Sequence, residues 1–323
     1  AIKRLELTLK RCRSCNCEQF SRLPKPVEVD PFFARYGLQI HVDHDAILPL
    51  LDWGIRRKVS RLPLRVASRI QSRLDRMRKK LLLTSLHIKI PYGLCTNCSF
   101  LAPWFEIGDD QLNDYYSFYL QDEYKQARTS FQPGFQELGK VMGSAQEAKL
   151  RREQHEAFIG PYLHNLRVNE GDIRLLDYGG GSGLLIPSFD WVQGDVADVV
   201  SASIPEAANA KYDVVQCMHV LEHVGNPSQT MNSLVSHCRT GGLIYVEVPC
   251  EYPGDQAIKS GSMPPCHEHI NKFCLNSVRG LFSREDLHVL LIEAGEVDFL
   301  HLDGMTPVIR ALARKLAPVP NPC

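Results

Sequence analysis

The stretch Arg174-Leu175-Leu176-Asp177-Tyr178-Gly179-Gly180-Gly181-Ser182-Gly183-Leu184-Leu185 limits what this chain can fold into more than any other. An apolar run of strand type ends in an acid, and glycines then recur at alternate positions: Gly179, Gly181 and Gly183. With no Cβ in the way the backbone can turn sharply there and let a ligand approach closely, so the order reads strand, turn, helix start. The spacing differs from the dinucleotide fingerprint, in which two glycines separated by one residue are followed by a third three positions on. The turn alone therefore selects no cofactor.

Downstream, Tyr212-Asp213-Val214-Val215-Gln216-Cys217-Met218 reads as a second apolar strand and runs into His219-Val220-Leu221-Glu222-His223. Gly241-Gly242 then opens a third, Leu243-Ile244-Tyr245-Val246-Glu247-Val248-Pro249. In this order the glycine turn, the Val-Leu-Glu-His and the Gly-Gly turn resemble the class I S-adenosylmethionine-dependent methyltransferases over roughly residues 155 to 300. The resemblance implies an α/β fold, a Rossmann-like, mostly parallel sheet with helices on both faces. It also implies S-adenosylmethionine as cofactor, with Asp177, Gly179, Gly181 and Gly183 shaping the methionine pocket. Met218 and His219, with Cys217, would wall the adenine and sulfonium. Glu222 and His223 read as structural residues at a strand-to-helix corner.

In a doubly wound sheet an acid at the second strand, about twenty residues past the turn, accepts hydrogen bonds from the ribose hydroxyls. Asp195, eighteen positions after Asp177, is the candidate, and Asp198 is its rival. The chain between Asp195 and Asp213 is short for a third strand with its own helix.

At 323 residues the chain is long enough for two units plus appendages. The expected division is a zinc-binding and helical N-terminal unit over residues 1–130, a cofactor domain over 131–305 and a tail over 306–323, read as a basic helix with a proline-rich end. Thirty-seven basic residues balance 37 acidic ones, so any attraction to an acidic partner must be local. No apolar run approaches the ~20 residues that span a bilayer, and no signal peptide opens the sequence, so a soluble, cytoplasmic protein is expected.

Eleven cysteines, irregularly spread, suit a reducing compartment better than a disulfide framework. Cys12-x-x-Cys15, with Cys17 two residues on, and Cys95-x-x-Cys98 are two knuckles that together supply four thiolates, the donor set of a structural zinc. Between them, Arg56 to Lys80 holds eleven basic residues against the single acid Asp75, with apolar positions at helical intervals from Leu64 on. Three readings of this helical insertion stay open: a helix packed on the protein, a grip on a polyanionic or phosphorylated substrate, and peripheral contact with a membrane surface. An aromatic-rich helical stretch, Tyr115 to Tyr124, follows the second knuckle and is either core or the lining of a substrate cleft.

Past the third strand comes Cys266-His267-Glu268-His269, with Phe273 four residues on and then Ser277-Val278-Arg279-Gly280-Leu281-Phe282. This pattern, with a cysteine-rich N-terminal part, resembles the zinc-containing sugar methyltransferases. In that family the Glu-His pair lies beside the sugar and the histidine acts as base, which implies Glu268 and His269 as the catalytic pair here. The chemistry suits the residues, because methyl transfer to a hydroxyl or an enolisable carbon needs a proton acceptor that titrates near neutrality. Two departures stand out: Cys266 occupies a position where the family commonly has an aromatic, and the knuckles are far apart.

The acceptor expected on this basis is a sugar or glycan, whether free or linked to a nucleotide, phosphate or lipid. A nicotinamide oxidoreductase is disfavoured by the glycine spacing. An RNA methyltransferase gripping phosphates with its zinc unit and arginine-rich helix, and a methyltransferase-like binding module without activity, remain as alternatives.

Overall fold

The computed structural model describes residues 11–36, 38, 89–105, 107–117, 119, 121–132, 134–142, 144–198, 211–302 and 305–317. The basic segment Arg56–Lys80 lies outside the described residues. The first part is built from short strands: β1 (Phe20–Arg22), β2 (Val27–Glu28), β3 (Lys89–Ile90), β4 (Tyr92–Cys95) and β5 (Leu101–Pro103), with helix α1 (Pro31–Tyr36) after β2. They pair antiparallel as β1-β4-β5 and β2-β3. Strands this short bury little by themselves. They are completed by α2 (Asp109–Ser117), α3 (Asp122–Phe131) and α4 (Phe135–Val141), which bring Leu112, Tyr115, Tyr124 and Phe135 onto Phe32, Phe33, Tyr92 and Leu101.

Helix α5 (Ala145–Glu170) leads into the larger sheet. It starts where Ser144 Oγ accepts a hydrogen bond from Glu147 N at 3.2 Å and ends at Gly171, whose φ is +85°. The strands that follow are β6 (Ile173–Tyr178), β7 (Val192–Ala197), β8 (Tyr212–Met218), β9 (Cys238–Pro249), β10 (Leu287–Asp298) and β11 (Met305–Lys315). Helix α6 (Pro227–His237) joins β8 to β9, and α7 (Asp255–Ser260) and α8 (Leu275–Phe282) lie between β9 and β10.

Among the described residues these strands form one sheet in the order β10-β11-β9-β8-β6-β7. The β7-β6, β6-β8 and β8-β9 pairs are parallel, and β11 runs antiparallel to both its neighbours. Both faces are covered, and strand alternation decides which residue meets which helix. Leu175, Val214, Leu243, Tyr245 and Leu312 meet Ile159, Leu163 and Leu166 of α5, which recur at helical spacing. Leu176, Val215, Ile244, Val246 and Ile309 meet Met231, Leu234 and Val235 of α6 and Val278, Leu281 and Phe282 of α8.

One expectation is corrected here. A basic helix is expected from Thr306 on, but among the described residues Met305–Lys315 is a strand inside the sheet, with Ile309, Ala311, Leu312 and Ala313 fully buried. Alanine, leucine, arginine and lysine favour a helix intrinsically, but hydrogen-bonded partners on both edges outweigh that small preference.

The topology fixes where a ligand can sit. From β6 the chain moves outward to β7 on one side, then to β8 and β9 on the other, so the connections diverge at the carboxyl ends of β6 and β8. A crevice opens at such a point in any doubly wound sheet.

Candidate active site and thiolate cluster

A cleft of about 1390 Å³ lies at that divergence. Its lining includes Asp177, Gly179, Gly181, Met218, His219 and Asp198 on the sheet side. Gly183 and Asp195 are absent from it. A Cβ on Gly183 would stand 2.8 Å from Val196 Cγ2, so that glycine packs the turn against β7 and does not face the ligand. Asp195 lies within β7, and its carboxylate pairs with Arg174 at 3.2 Å, 44% exposed. Asp198 is the first residue past the strand, and its Oδ2 accepts from Gly181 N at 2.7 Å. The acid at the strand's carboxyl end faces the crevice and the one in mid-strand does not. Cys217 is fully buried on the opposite face and is not part of the wall.

Asp177 is 1% exposed, and its Oδ2 has no hydrogen-bond partner among the described residues. Burial pushes its carboxyl up to about 6. Arg151, from α5, lines the same cleft with its guanidinium 4.5 Å from the centre of the Phe299 ring. No carboxylate pairs with Arg151 among the described residues, and its buried Nε is unpartnered. An acid with one oxygen unpartnered and a guanidinium without a carboxylate partner, facing one cavity, suit an amino-acid zwitterion, the end of S-adenosylmethionine that carries an ammonium and a carboxylate.

His219 is held at φ +55°, unusual for a residue with a side chain. Its N donates to Glu247 O at 2.9 Å and its Nε2 lies 3.1 Å from Glu247 Oε1, while Nδ1 is 3.4 Å from Glu222 Oε1. Burial by itself would lower its pKa, but contacts with the two carboxylates raise it.

The other half of the cleft is made by the loop before α8 and by the first part of the chain. That loop is threaded onto the N-terminal strands: Cys266 N donates to Glu28 O at 2.6 Å, Asp30 N to Cys266 O at 2.7 Å, and Lys272 N to Leu101 O at 2.8 Å. Between these anchors sit His267, Glu268 and His269.

Glu268 is 8% exposed, and its Oε1 accepts from Tyr115 Oη at 2.9 Å, Tyr124 Oη at 3.0 Å and Arg128 Nη1 at 3.1 Å. Burial opposes its charge, yet the His267 contact and the Arg128 guanidinium hold the carboxyl well below the usual range. It ties α2 and α3 to the loop.

The expected pairing of Glu268 with His269 is therefore not the one made. The His269 ring is held by Glu251, Nδ1 to Oε1 at 2.7 Å, and Glu251 is held in turn by Lys272 Nζ at 2.8 Å. Glu251 stands just past the end of β9, and its only sequence signal is that of an acid at the carboxyl end of a parallel strand.

His223 completes the group. Its ring centre lies 4.8 Å from that of His269, and its Nδ1 is 2.8 Å from Tyr116 Oη and 3.0 Å from Glu268 O. Burial pushes its pKa down to about 4, so the ring is neutral. Tyr116, Tyr119 and Tyr124 line this end of the cleft, while Tyr115 is sealed beneath them.

Away from the cleft, the sulfurs of Cys12, Cys15, Cys95 and Cys98 all lie within 4.8 Å of one another. The knuckles close alike: Asn16 N donates to Cys12 O at 2.9 Å and Ser99 N to Cys95 O at 2.8 Å, and Asn16 and Ser99 take φ of +57° and +60°. Cys12 to Cys98 and Cys15 to Cys95 are both 3.7 Å between sulfurs. Tetrahedral corners with ~2.3 Å metal–sulfur bonds stand about 3.8 Å apart, so the donor set fits zinc. Cys17 is a fifth thiol, 3.3 Å from both Cys15 and Cys95. The cluster is pressed onto α8: Ser14 Oγ donates to Ser277 O at 2.6 Å, and a Cβ on Gly280 would stand 2.7 Å from Cys15 Cβ.

Residues 150–292 match the family model for a methyltransferase domain. The chain carries a class I S-adenosylmethionine-dependent methyltransferase domain. The match covers the glycine turn, β8 with its Val-Leu-Glu-His, and the His267–His269 loop, and stops within β10, short of β11.

No curated protein matches the chain. Solved structures similar to it include a methyltransferase from Methanosarcina mazei, 13% identical over 48% of this chain and 97% of that one, with a TM-score of 0.36. Another is the magnesium protoporphyrin IX methyltransferase of Synechocystis PCC 6803 with bound S-adenosylhomocysteine, 14% identical over 56% and 94%, with a TM-score of 0.34. Scores this low leave the methyltransferase domain's architecture to rest on its own strand order. Among the described residues no helix is long and apolar enough to cross a membrane.

Proposed function

We propose that this chain transfers the methyl group of S-adenosylmethionine to a hydroxyl or acidic carbon of a sugar, free or carried on a nucleotide, phosphate or lipid. His269 accepts the proton, and zinc at Cys12, Cys15, Cys95 and Cys98 braces the fold. The observation that carries this reading is the 2.7 Å contact between His269 Nδ1 and Glu251 Oε1. An Nδ1–H donated to a carboxylate fixes the tautomer and leaves Nε2 with a lone pair. In the transfer the carbon–sulfur bond breaks as the methyl–acceptor bond forms. The sulfur keeps the electron pair and becomes a neutral thioether, and the acceptor's proton passes to Nε2.

The protein's part is alignment and proton removal. Asp177 and Arg151 grip the amino-acid end of the cofactor, and Asp198, in place of Asp195, takes the ribose hydroxyls. The size of the cleft supports a second substrate beside the cofactor, since sites for one small molecule span ~300–1,000 Å³ and this one is about 1390 Å³. The Tyr119 hydroxyl and the His267 ring line that end and add polar groups to the aromatic wall of Tyr116 and Tyr124, a mixture that suits a sugar.

The test pairs calorimetry with turnover. His269→Ala should bind S-adenosylmethionine as the parent does while methyl transfer to nucleotide-linked sugars falls ~10²-fold or more. Full turnover in that variant, or methyl transfer to RNA and to no sugar, would overturn the reading.

A further inference from the structure

Beneath the histidines of the cleft lies a carboxylate that the methyl-transfer reading does not use. Glu222 is 0% exposed, and both its oxygens are sealed from solvent without a hydrogen bond among the described residues. His219 Nδ1, in a ring shared with Glu247, lies 3.4 Å from its Oε1, and His223 Nε2 lies 3.9 Å from the same oxygen. A buried carboxylate left in this state costs several kcal/mol unless a positive charge stands beside it.

The surrounding hydrogen bonds specify how such a charge could be held. His223 Nδ1 is engaged by Tyr116 Oη and Glu268 O, and His269 Nδ1 by Glu251. In both rings the nitrogen left over is Nε2. Donor atoms of Glu222, His223 and His269 lie within 4.8 Å of one another. Metal-binding histidines commonly show this arrangement, in which the far ring nitrogen donates to a carboxylate or carbonyl and so fixes tautomer and orientation.

We infer that Glu222, His223 and His269 form a binding site for a divalent transition-metal cation at the floor of the acceptor end of the cleft. Two imidazole nitrogens and one carboxylate suit Mn²⁺, Fe²⁺, Co²⁺ or Zn²⁺. Because His223 and His269 also line the cleft, the remaining coordination positions face the acceptor. The thiolate cluster is a different site with a different donor set: four sulfurs select zinc, and an oxygen–nitrogen site admits Mn²⁺. In the metal-loaded protein the His269 lone pair belongs to the cation and the proton-acceptor role given to it above lapses. Methyl transfer and the cofactor contacts are independent of that choice.

The experiment is a titration of the full chain with Mn²⁺, followed by electron paramagnetic resonance of the free ion, with S-adenosylmethionine binding measured separately by calorimetry. The expected result is about one Mn²⁺ bound per chain, lost in Glu222→Gln and in His269→Ala. Glu251→Ala removes only the support of one ligand and should weaken binding roughly 10- to 100-fold. Glu222→Gln keeps the side chain's shape, and a melting curve beside each titration separates lost binding from lost folding.

Failure of the parent protein to bind Mn²⁺ would overturn the inference, and the imidazolium of His219 would then be the charge that balances Glu222. Binding that survives in both Glu222→Gln and His269→Ala would also overturn it, because the ion would lie elsewhere. Calorimetry on the parent protein reports on the cofactor site whichever way the metal result falls.

Discussion

Asp177→Asn should make the cofactor-free protein more stable and the cofactor bind less well. The folded carboxyl titrates at about 6 against ~3.9 in an unfolded chain, because burial opposes its charge. A group whose folded pKa is raised in this way costs nothing below pH ~4, where both states are protonated. The cost grows between pH ~4 and ~6 and is complete above. Two units at ~1.4 kcal/mol each give about 3 kcal/mol at pH 7.5, undiscounted for solvent because the side chain is 1% exposed. Asparagine removes the charge at nearly constant shape, so melting without cofactor should rise by several degrees at pH 7.5 and hardly at all at pH 4.

Binding should move the other way. The ionised carboxylate is the form that pairs with the cofactor's ammonium, and losing that contact costs about 1.5–3 kcal/mol, roughly 10- to 150-fold in Kd. Parent affinity measured by calorimetry should therefore decline as pH falls through about 6, approaching tenfold per unit below it, whereas the asparagine variant should be flat from pH 5 to 7.5. An asparagine variant that melts lower at pH 7.5, or that keeps the parent's pH-dependent affinity, would refute this account of Asp177.

Asp198→Ala should weaken S-adenosylmethionine binding by a few kcal/mol at most, whereas Asp195→Ala should leave it unchanged, and calorimetry on both variants decides the ribose assignment. Metal analysis of purified protein should find about one zinc per chain at the thiolates, lost in the Cys12→Ser, Cys95→Ser double variant. Such sites contribute on the order of 10 kcal/mol to folding, so that variant should be markedly less stable or less soluble, and a fully folded metal-free protein would count against the site. Glu268→Ala leaves Arg128 with Asp30 as its remaining carboxylate and takes the acceptor from Tyr115 and Tyr124, so it should lower stability by about 1–3 kcal/mol in chemical denaturation. At temperatures where it stays folded, the variant should lose less turnover than His269→Ala.

The parts of the fold legible in the sequence were those whose residues carry their own backbone demand. Glycines at 179 and 181, with φ of +76° and +57°, mark a turn that other side chains tolerate poorly. The runs in β6, β8 and β9 are apolar on both faces because helices cover both faces. The alanines, leucine and arginines of β11 say helix locally, and only its two neighbours in the sheet say strand.

The same split divides the site. Asp177 and His269 announce themselves, one before a glycine turn and one in a histidine-rich motif. Glu251 meets His269 across a loop, and sequence spacing holds no record of that distance. Asp195 and Asp198 differ only in where β7 ends, and a strand boundary is the feature that local pattern fixes least well.

Because β11 lies between β9 and β10, the sheet cannot be completed in the order in which the chain is made. A ribosome delivers β6, β8 and β9 early, and these can pair in parallel as they emerge. The antiparallel edge of β9 must then wait, unpaired and apolar, until Met305–Lys315 has cleared the exit tunnel. Through that interval β10 has no neighbour in the sheet, and any other strand that reaches the open edge competes for it. Slow translation between β9 and β11 would prolong the exposure, and a chaperone that shields extended apolar segments would shorten it. The yield of folded enzyme in a cell thus depends on the timing of β11, while the chemistry depends on residues made well before it.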